Sequence, residues 1–543
     1  MSGGRLSSVV EYLKRMQAED AAFFYALQHD THQSLANLFW ADASSKLNYH
    51  YFGDAVLFDP LYRTNPYTIP FAAFTGLNHH GQPILLGCAL IFNESHSSFV
   101  WLFQTWLHAM SGRLPVSFTT HPDGLIRAAA EQVLPGTRIR FSKHAMFRET
   151  QQKIPQIYQL HPMFEVEFKK CINEADTIDE FESSWQTLVQ RYYLIDNAWL
   201  QSMYDVRQYW VPVYMRNTFF GDLSINEASG ELTSFFDGFV DASTTIHMLP
   251  KQYEKAAASW QEKELKADYD TTNTTPVLKT PSPMEKQAAN LYTRRIFTKF
   301  QEELVETLAN PATKVDDSGT LTTYRVAKFG EEIKAHTVHF NSFVMKASCS
   351  CQMFEYKGII CRHVLAVFRA KNVLTLPTQY VLKRWTRNAK TGTVFDERAS
   401  QLPCNSQESL SVRYNSLRQE AIKYVEQGAK SIQIYNVAMD ALQEASKKVA
   451  AMKNRTLGAS ECGVLTNGSS QMLHVADENT LPASHPAQDE KEKKIRELSD
   501  ELESTNQRSE VYRANLVGVL RDMEEQKLKL SVKVQNARLS LKE

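Results

Sequence analysis

FAAFTGLNHHGQPILLGCALIF, residues 71–92, holds two apolar runs on either side of a polar turn. The runs Pro70–Thr75 and Ile84–Phe92 read as strands, and Asn78, Gly81 and Pro83 break the chain between them. Ala55–Phe58 is a further short strand ahead of them. Downstream, Ser97 or Ser98 is a candidate N-cap for a helix whose face carries Phe99, Leu102, Phe103, Trp106 and Leu107. Val116–Thr120 returns to strand, a helix lies around Ile126–Val133, and Arg138–Ser142 is the last strand. The reading is three consecutive strands, helix, strand, helix, strand.

That order is the α/β order of a ribonuclease-H-like core, assigned to residues 35–147. Ahead of it, a helical lead-in covers 1–34. There Leu6, Val9, Tyr12, Leu13 and Met16 fall at helical spacing, and Phe23, Phe24 and Leu27 continue the face to residue 29. Leu38–Trp40 and Tyr49–Phe52 flank the polar Asp42–Lys46 in the manner of a hairpin. Residues 148–268 read as mainly helical, with Phe164, Phe168, Phe181, Trp185 and Trp210 as core. A Thr/Pro-rich linker at 269–283 precedes a helix at 284–310. Strands such as Tyr324–Val326 and Val338–Phe340 run into a cysteine cluster within 311–372. A basic segment covers 373–403, a helical region 404–452, a polar linker of disordered composition 453–490, and a charged helix 491–543.

Length and composition bound the function. At about 150 residues per domain, 543 residues make roughly three or four units. Hydrophobic residues at 43% exclude a wholly disordered chain. Sixty Lys+Arg against 61 Asp+Glu give a net charge of −1, so any nucleic-acid contact must come from a local patch. Apolar runs such as Leu85–Phe92 fall far short of the roughly 18 residues that cross a bilayer. Seven cysteines are sparse for this length, which fits a reducing compartment where cysteines are core residues or metal ligands.

Three of the seven fall together, as Cys349-Ser-Cys351 and Cys361-Arg-His363. Structural zinc takes four sulfur or nitrogen ligands in a tetrahedron. Cys349 and Cys351 at a strand end can face one ion. Cys361 and His363 stand where the apolar helix Val364–Phe368 begins, and the positive helix start favours thiolate. Three thiolates and an imidazole on Zn²⁺ leave about one negative charge, which Arg362 or Lys357 could offset. The expectation is one structural zinc ion. Lys383, Arg384, Arg387 and Lys390 cluster around Trp385 just beyond. Phosphate contact with Trp385 on a base or sugar, a solvated helix face and a nuclear import signal all fit these residues. His79-His80 suggests either a metal site or a polar turn, and the turn is preferred. In 491–543, Ile495, Leu498, Leu502, Leu516, Val519, Met523, Leu530 and Val534 keep three-and-four spacing, with Thr505, Ser509 and Gln526 interrupting it. A coiled coil pairing two chains is expected there.

The Cys-x-Cys…Cys-x-His arrangement resembles the SWIM zinc finger. Phe71–Cys88 followed by Ser98–Leu107 resembles the plant far-red-impaired-response family and its related-sequence members, which derive from Mutator-like transposases. The resemblance implies a nuclear transcriptional regulator in light-responsive gene expression, acting on DNA directly or through related proteins, as homodimer or heterodimer. It also implies three carboxylates for the ancestral metal chemistry. Asp59 matches the first. The second falls on His121, with Asp123 two residues on, and the third on Gly230, beside Glu231. A Cys-x-x-His pair in the ancestral pattern reads Ser142-Lys143-His144-Ala145 here. The expectation is a core without catalysis, since metal geometry tolerates little displacement of a ligand. Family members usually carry an N-terminal zinc-chelating DNA-binding domain ahead of the core. This sequence starts just before the core, so an adaptor that dimerises with DNA-binding relatives is the alternative reading, and an active transposase a third.

Overall fold

The computed structural model describes residues 3–30, 34–60, 69–221, 235–331, 334–391 and 431–458, with isolated positions between 417 and 428. Two compact units divide the chain, Met1–Ala438 and Met439–Glu543. Among the described residues the first contains two sheets. One has seven strands in the order β1-β2-β5-β4-β3-β6-β7. They are β1 (Phe24–His29), β2 (Leu35–Ala41), β3 (Ala55–Asp59), β4 (Phe71–Leu77), β5 (Pro83–Ile91), β6 (Ser117–Thr120) and β7 (Arg138–Phe141). β3, β4 and β5 form an antiparallel meander, and β6 and β7 continue from β3 in parallel.

The sheet is covered on both faces. Phe39, Val56, Phe58, Ala72 and Phe74 pack under helices His96–Ala109 and Gly124–Val133. The alternate residues Leu38, Trp40, Phe71 and Ala73 pack against helices Gly3–Glu19 and Leu249–Asn273. All nine residues of β5 are buried, which explains its unbroken apolar run. The expected order of strands and helices from 55 to 142 stands in the structure, with ends displaced by one or two residues.

Two expectations upstream do not hold. The helix expected over 5–29 stops at Glu19, where Asp20 turns the chain by accepting from Ala22 N at 2.9 Å. Phe24–His29 is then a strand, paired antiparallel with β2. Tyr49–Phe52 is the last turn of helix Ala43–Phe52 and not a hairpin strand. Asp42 caps that helix, and Ser45, Tyr49 and Phe52 bury one face at helical spacing.

Helices Lys143–Lys153, Pro155–Leu160, Phe164–Asn173, Ile178–Arg191 and Ala198–Asp205 build a separate aromatic core around Phe164, Phe168, Trp185 and Trp210. Helix Leu249–Asn273 runs into the stretch read as the start of a linker. The helix read over 284–310 is two helices, Pro283–Leu291 and Arg294–Glu306. The break lies at Tyr292, which bridges to Thr386. The second sheet runs β11-β10-β9-β8. Its strands are β8 (Ala312–Asp317), β9 (Leu321–Val326), β10 (His336–Asn341) and β11 (Lys346–Cys349). It shares a core with helices Arg294–Glu306 and Arg362–Ala370. Helix Ile432–Gly458 carries residues 453–458 that were read as linker. Residues 404–416 and the segment 491–543, where a coiled coil is expected from the sequence, lie outside the described residues. Among the described residues no helix is long and apolar enough to cross a membrane.

Candidate metal centre

Four side chains at one end of the second sheet converge. Cys349 ends β11, opposite Val338 of β10. Past Cys351 the backbone reverses through Gln352, which is left-handed at φ 50°, into the short helix Met353–Lys357. Gly358, at φ 73°, returns the chain toward Cys361. A Cβ at Gly358 would lie 2.5 Å from Leu382 Cδ1, so the glycine serves both the turn and a close approach. Cys361 is the N-cap residue of helix Arg362–Ala370, and His363 lies in its first turn.

The ligand atoms of Cys349, Cys351, Cys361 and His363 all lie within 4.8 Å of one another. Cys349 Sγ is 3.6 Å from His363 Nδ1. Bond lengths of about 2.3 Å to sulfur and 2.0 Å to nitrogen place tetrahedral ligands about that far apart, so the set fits zinc. Cys351 is held well below the usual thiol range by hydrogen bonds with Cys349, then Cys361, and burial opposes this. Cys349 and Cys361 are pushed up in exchange. A dication bound here releases those protons and takes three thiolates. The finger thus offers a complete four-ligand site for one zinc ion.

Arg362 feels the Cys361 thiolate, but it is held mainly by two glutamates. Its guanidinium grips Glu303 through Nε at 3.0 Å and Nη2 at 2.7 Å, and reaches Glu306 at 3.0 Å. Glu303 also accepts from Arg362 N at 2.8 Å, putting a carboxylate on the helix start. The ring of His336 lies 4.0 Å from that of His363, and its Nε2 is 3.6 Å from Asp176.

The acidic positions lie at the carboxyl ends of β3 and β6. Those strands pair in parallel up to Phe58 and Thr120, so Asp59 and His121 emerge side by side. Burial pushes the Asp59 carboxyl up to about 6, Arg148 opposes this and Asp237 adds to it. His121 Nε2 faces Glu149 at 3.2 Å. Asp123 caps helix Gly124–Val133, accepting from Leu125 N at 2.8 Å and Ile126 N at 2.9 Å. Ser142 caps helix Lys143–Lys153. Gly230 and Glu231 lie outside the described residues. Among the described residues, neither Asp59 nor His121 belongs to a cluster at metal spacing.

Arg384, Arg387 and Lys390 are engaged by protein partners and Trp385 is buried, so phosphate contact through Arg384 and base stacking on Trp385 do not fit their placement. Trp385 is fully buried and donates to Lys357 O at 3.2 Å. Arg384 is ion-paired with Asp54 and donates to Leu77 O at 2.8 Å. Arg387 donates to Tyr292 O at 3.1 Å and Ala289 O at 2.7 Å. Lys390 pairs with Glu264. Lys383 is exposed. The sequence spacing held no sign of these partners, which are tens to hundreds of residues away.

His79 and His80 do occupy the β4–β5 turn, but that turn is buried. Their rings are 1% and 4% exposed, and both approach Asp268 of helix Leu249–Asn273. Burial, then the neighbouring charges, bring the His79 imidazole down to about 4, with Asp268 opposing.

Comparison with known proteins places these parts. The MULE transposase domain model matches residues 55–149, and the SWIM zinc finger model matches residues 336–372. The chain is 61% identical to Protein FAR1-RELATED SEQUENCE 9 of Arabidopsis thaliana, over 100% of this chain and 98% of that protein. It is 50% identical to Protein FAR1-RELATED SEQUENCE 5 of the same plant, over 99% of this chain and 68% of that protein. Identity to Protein FAR-RED IMPAIRED RESPONSE 1 is 37%, over 85% of this chain and 55% of that protein. With a transposase-derived core and a SWIM finger in that order, and a relative matched along nearly its whole length, the chain belongs to the FAR1-related sequence family.

Proposed function

We propose that this chain is a nuclear transcriptional regulator acting in light-responsive gene expression, built on a Mutator-like transposase core that no longer performs strand transfer. The observation that carries the loss of chemistry is the pair at the ends of β3 and β6. Asp59 stands beside a histidine that faces Glu149, and the nearest downstream carboxylate, Asp123, is committed to two backbone N–H groups. Two-metal chemistry needs carboxylates that converge on the ions. The strand order β5-β4-β3-β6-β7 supports a ribonuclease-H-like ancestry for the core. In this reading the core and zinc finger contact DNA or other regulators, and residues 491–543 pair chains.

A second reading is an adaptor that works through DNA-binding relatives. It is favoured by one observation: Arg384 and Arg387, two residues of the basic cluster past the finger, are occupied by protein partners. One experiment separates the readings. Purified, zinc-loaded chain is titrated with DNA across a salt series beside Cys361→Ser, and the same samples are tested for Mn²⁺-dependent cleavage. Selective binding lost in the variant, without cleavage, supports the regulator that reads DNA itself. Weak, nonselective binding that vanishes by physiological salt supports the adaptor. Cleavage abolished by Asp59→Ala overturns the proposed loss of chemistry.

A further inference from the structure

We propose that His79, His80 and Asp268 bind a second divalent transition-metal ion of the zinc class, separate from the ion of the SWIM finger. The three ligand atoms lie within 4.8 Å of one another. Asp268 Oδ1 is 3.0 Å from His79 Nε2 and 2.9 Å from His80 Nε2. Two imidazoles and one carboxylate are a common zinc donor set, leaving a fourth position for water.

The tautomer of His79 argues for an ion in addition to these hydrogen bonds. If Nε2 carries the proton toward Asp268, Nδ1 is a bare lone pair. That Nδ1 is buried, has no hydrogen-bond partner among the described residues, and faces Glu264 Oε1 at 3.7 Å. A lone pair opposed to a carboxylate inside a protein is unfavourable. A doubly protonated ring would satisfy both carboxylates, but it would place a cation in a site with 1% exposure, near Lys390, which is already paired with Glu264. A metal on Nε2 removes the conflict. It fixes the proton on Nδ1, so that an N–H and not a lone pair faces the Glu264 carboxylate 3.7 Å away, an electrostatic relative of the carboxylate–histidine–metal arrangement that orients many metal-bound imidazoles.

The ligands are also held in place before any ion arrives. Asn78 Oδ1 accepts from His80 N and Gln82 N, both at 2.9 Å. Thr293 donates to His79 O at 2.7 Å, and Arg295 donates to Gly81 O at 2.9 Å. The His79 ring stacks on Phe52, with centroids 5.6 Å apart and planes 6° from parallel. An ion here would clamp the β4–β5 turn to helix Leu249–Asn273.

The test is metal stoichiometry on the full chain. Zinc-reconstituted, dialysed wild type should retain two equivalents by elemental analysis. Asp268→Asn and His80→Gln should each retain one. Cobalt substitution reports the two sites separately, because only the SWIM site has thiolate-to-metal charge transfer. That band should persist in Asp268→Asn, which also shows the variant is folded. Glu264→Gln should weaken the second ion by roughly 10- to 100-fold without changing the band. One equivalent in wild type, lost entirely in Cys361→Ser, overturns the proposal. So does a second equivalent that survives both Asp268→Asn and His80→Gln, or an affinity that Glu264→Gln leaves unchanged. None of these outcomes depends on whether the chain binds DNA.

Discussion

Asp59, which the family resemblance marks as the first carboxylate of the ancestral metal set, is the last residue of β3. Its carboxyl ends β3 in a setting that favours the protonated form, since burial outweighs the help of Arg148 and Asp237 adds a like charge. The sign of the pH effect follows. A carboxyl raised from 3.8 to about 6 on folding holds its proton longer in the folded chain than in the unfolded one. Its contribution to stability is therefore full below about pH 4 and is lost as pH rises through 6. Asp59→Asn cannot ionise, so at pH 7 it should be more stable than wild type by about 2–3 kcal/mol. The gap should close toward pH 4. Denaturant unfolding at several pH values checks this, and parallel curves for the two proteins would refute it. A carboxylate still serving a bound cation would respond oppositely, with the asparagine variant less stable when metal is present.

At the scale of elements, legibility followed locality. The strands β3 to β7 were readable because their apolar runs are bounded by breakers, Asn78, Gly81 and Pro83 among them, and both faces are covered. Phe24–His29 reads as helix in the sequence because its aromatics satisfy helical spacing as well. Its pairing with β2 decides the matter, and such a contact leaves no trace in a short window. For Tyr49–Phe52 the signal was present in Asp42, whose Oδ1 accepts from Ser45 N at 2.6 Å. The zinc ligands were legible because their spacing is itself the site. The basic cluster was not, because Arg384 finds Asp54 at a separation of 330 residues. Asp123 gives an element-level prediction. As the cap of helix Gly124–Val133 it supplies acceptors for two backbone donors. Asp123→Ala should lower stability by about 1 kcal/mol, and Asp123→Asn should recover most of it. Thermal unfolding of the pair decides between a cap and a metal ligand, since a ligand would need the negative charge and asparagine would not rescue it.

Within the unit Met1–Ala438, the zinc finger and the transposase-derived sheet are joined by buried polar contacts and shared aromatic packing. Arg140 of β7 donates to Thr119 of β6 at 3.1 Å and to the Tyr356 hydroxyl of the finger at 2.7 Å. The same guanidinium sits 4.1 Å from the Phe220 ring centroid, and Phe220 N donates to Tyr356 O at 3.0 Å. Trp385 belongs to the finger's core, while its neighbour Arg384 reaches the ends of β3 and β4. An ion that organises residues 349–363 therefore stabilises more than its own loop. Structural zinc contributes its binding free energy to folding. Stripping metal with a strong chelator should shift the main calorimetric transition of the whole unit downward by several degrees. Zinc, but not magnesium, should restore it. Cys361→Ser should lower the same transition, by less than full stripping does, and resist the zinc rescue at the finger. If chelation instead produced a small separate transition with the main one unmoved, the finger would be an independent module. The contacts of Arg140, Tyr356 and Trp385 would then carry no coupling between finger and sheet. Their burial, and the desolvation each would suffer if its partner were lost, argues for the single transition.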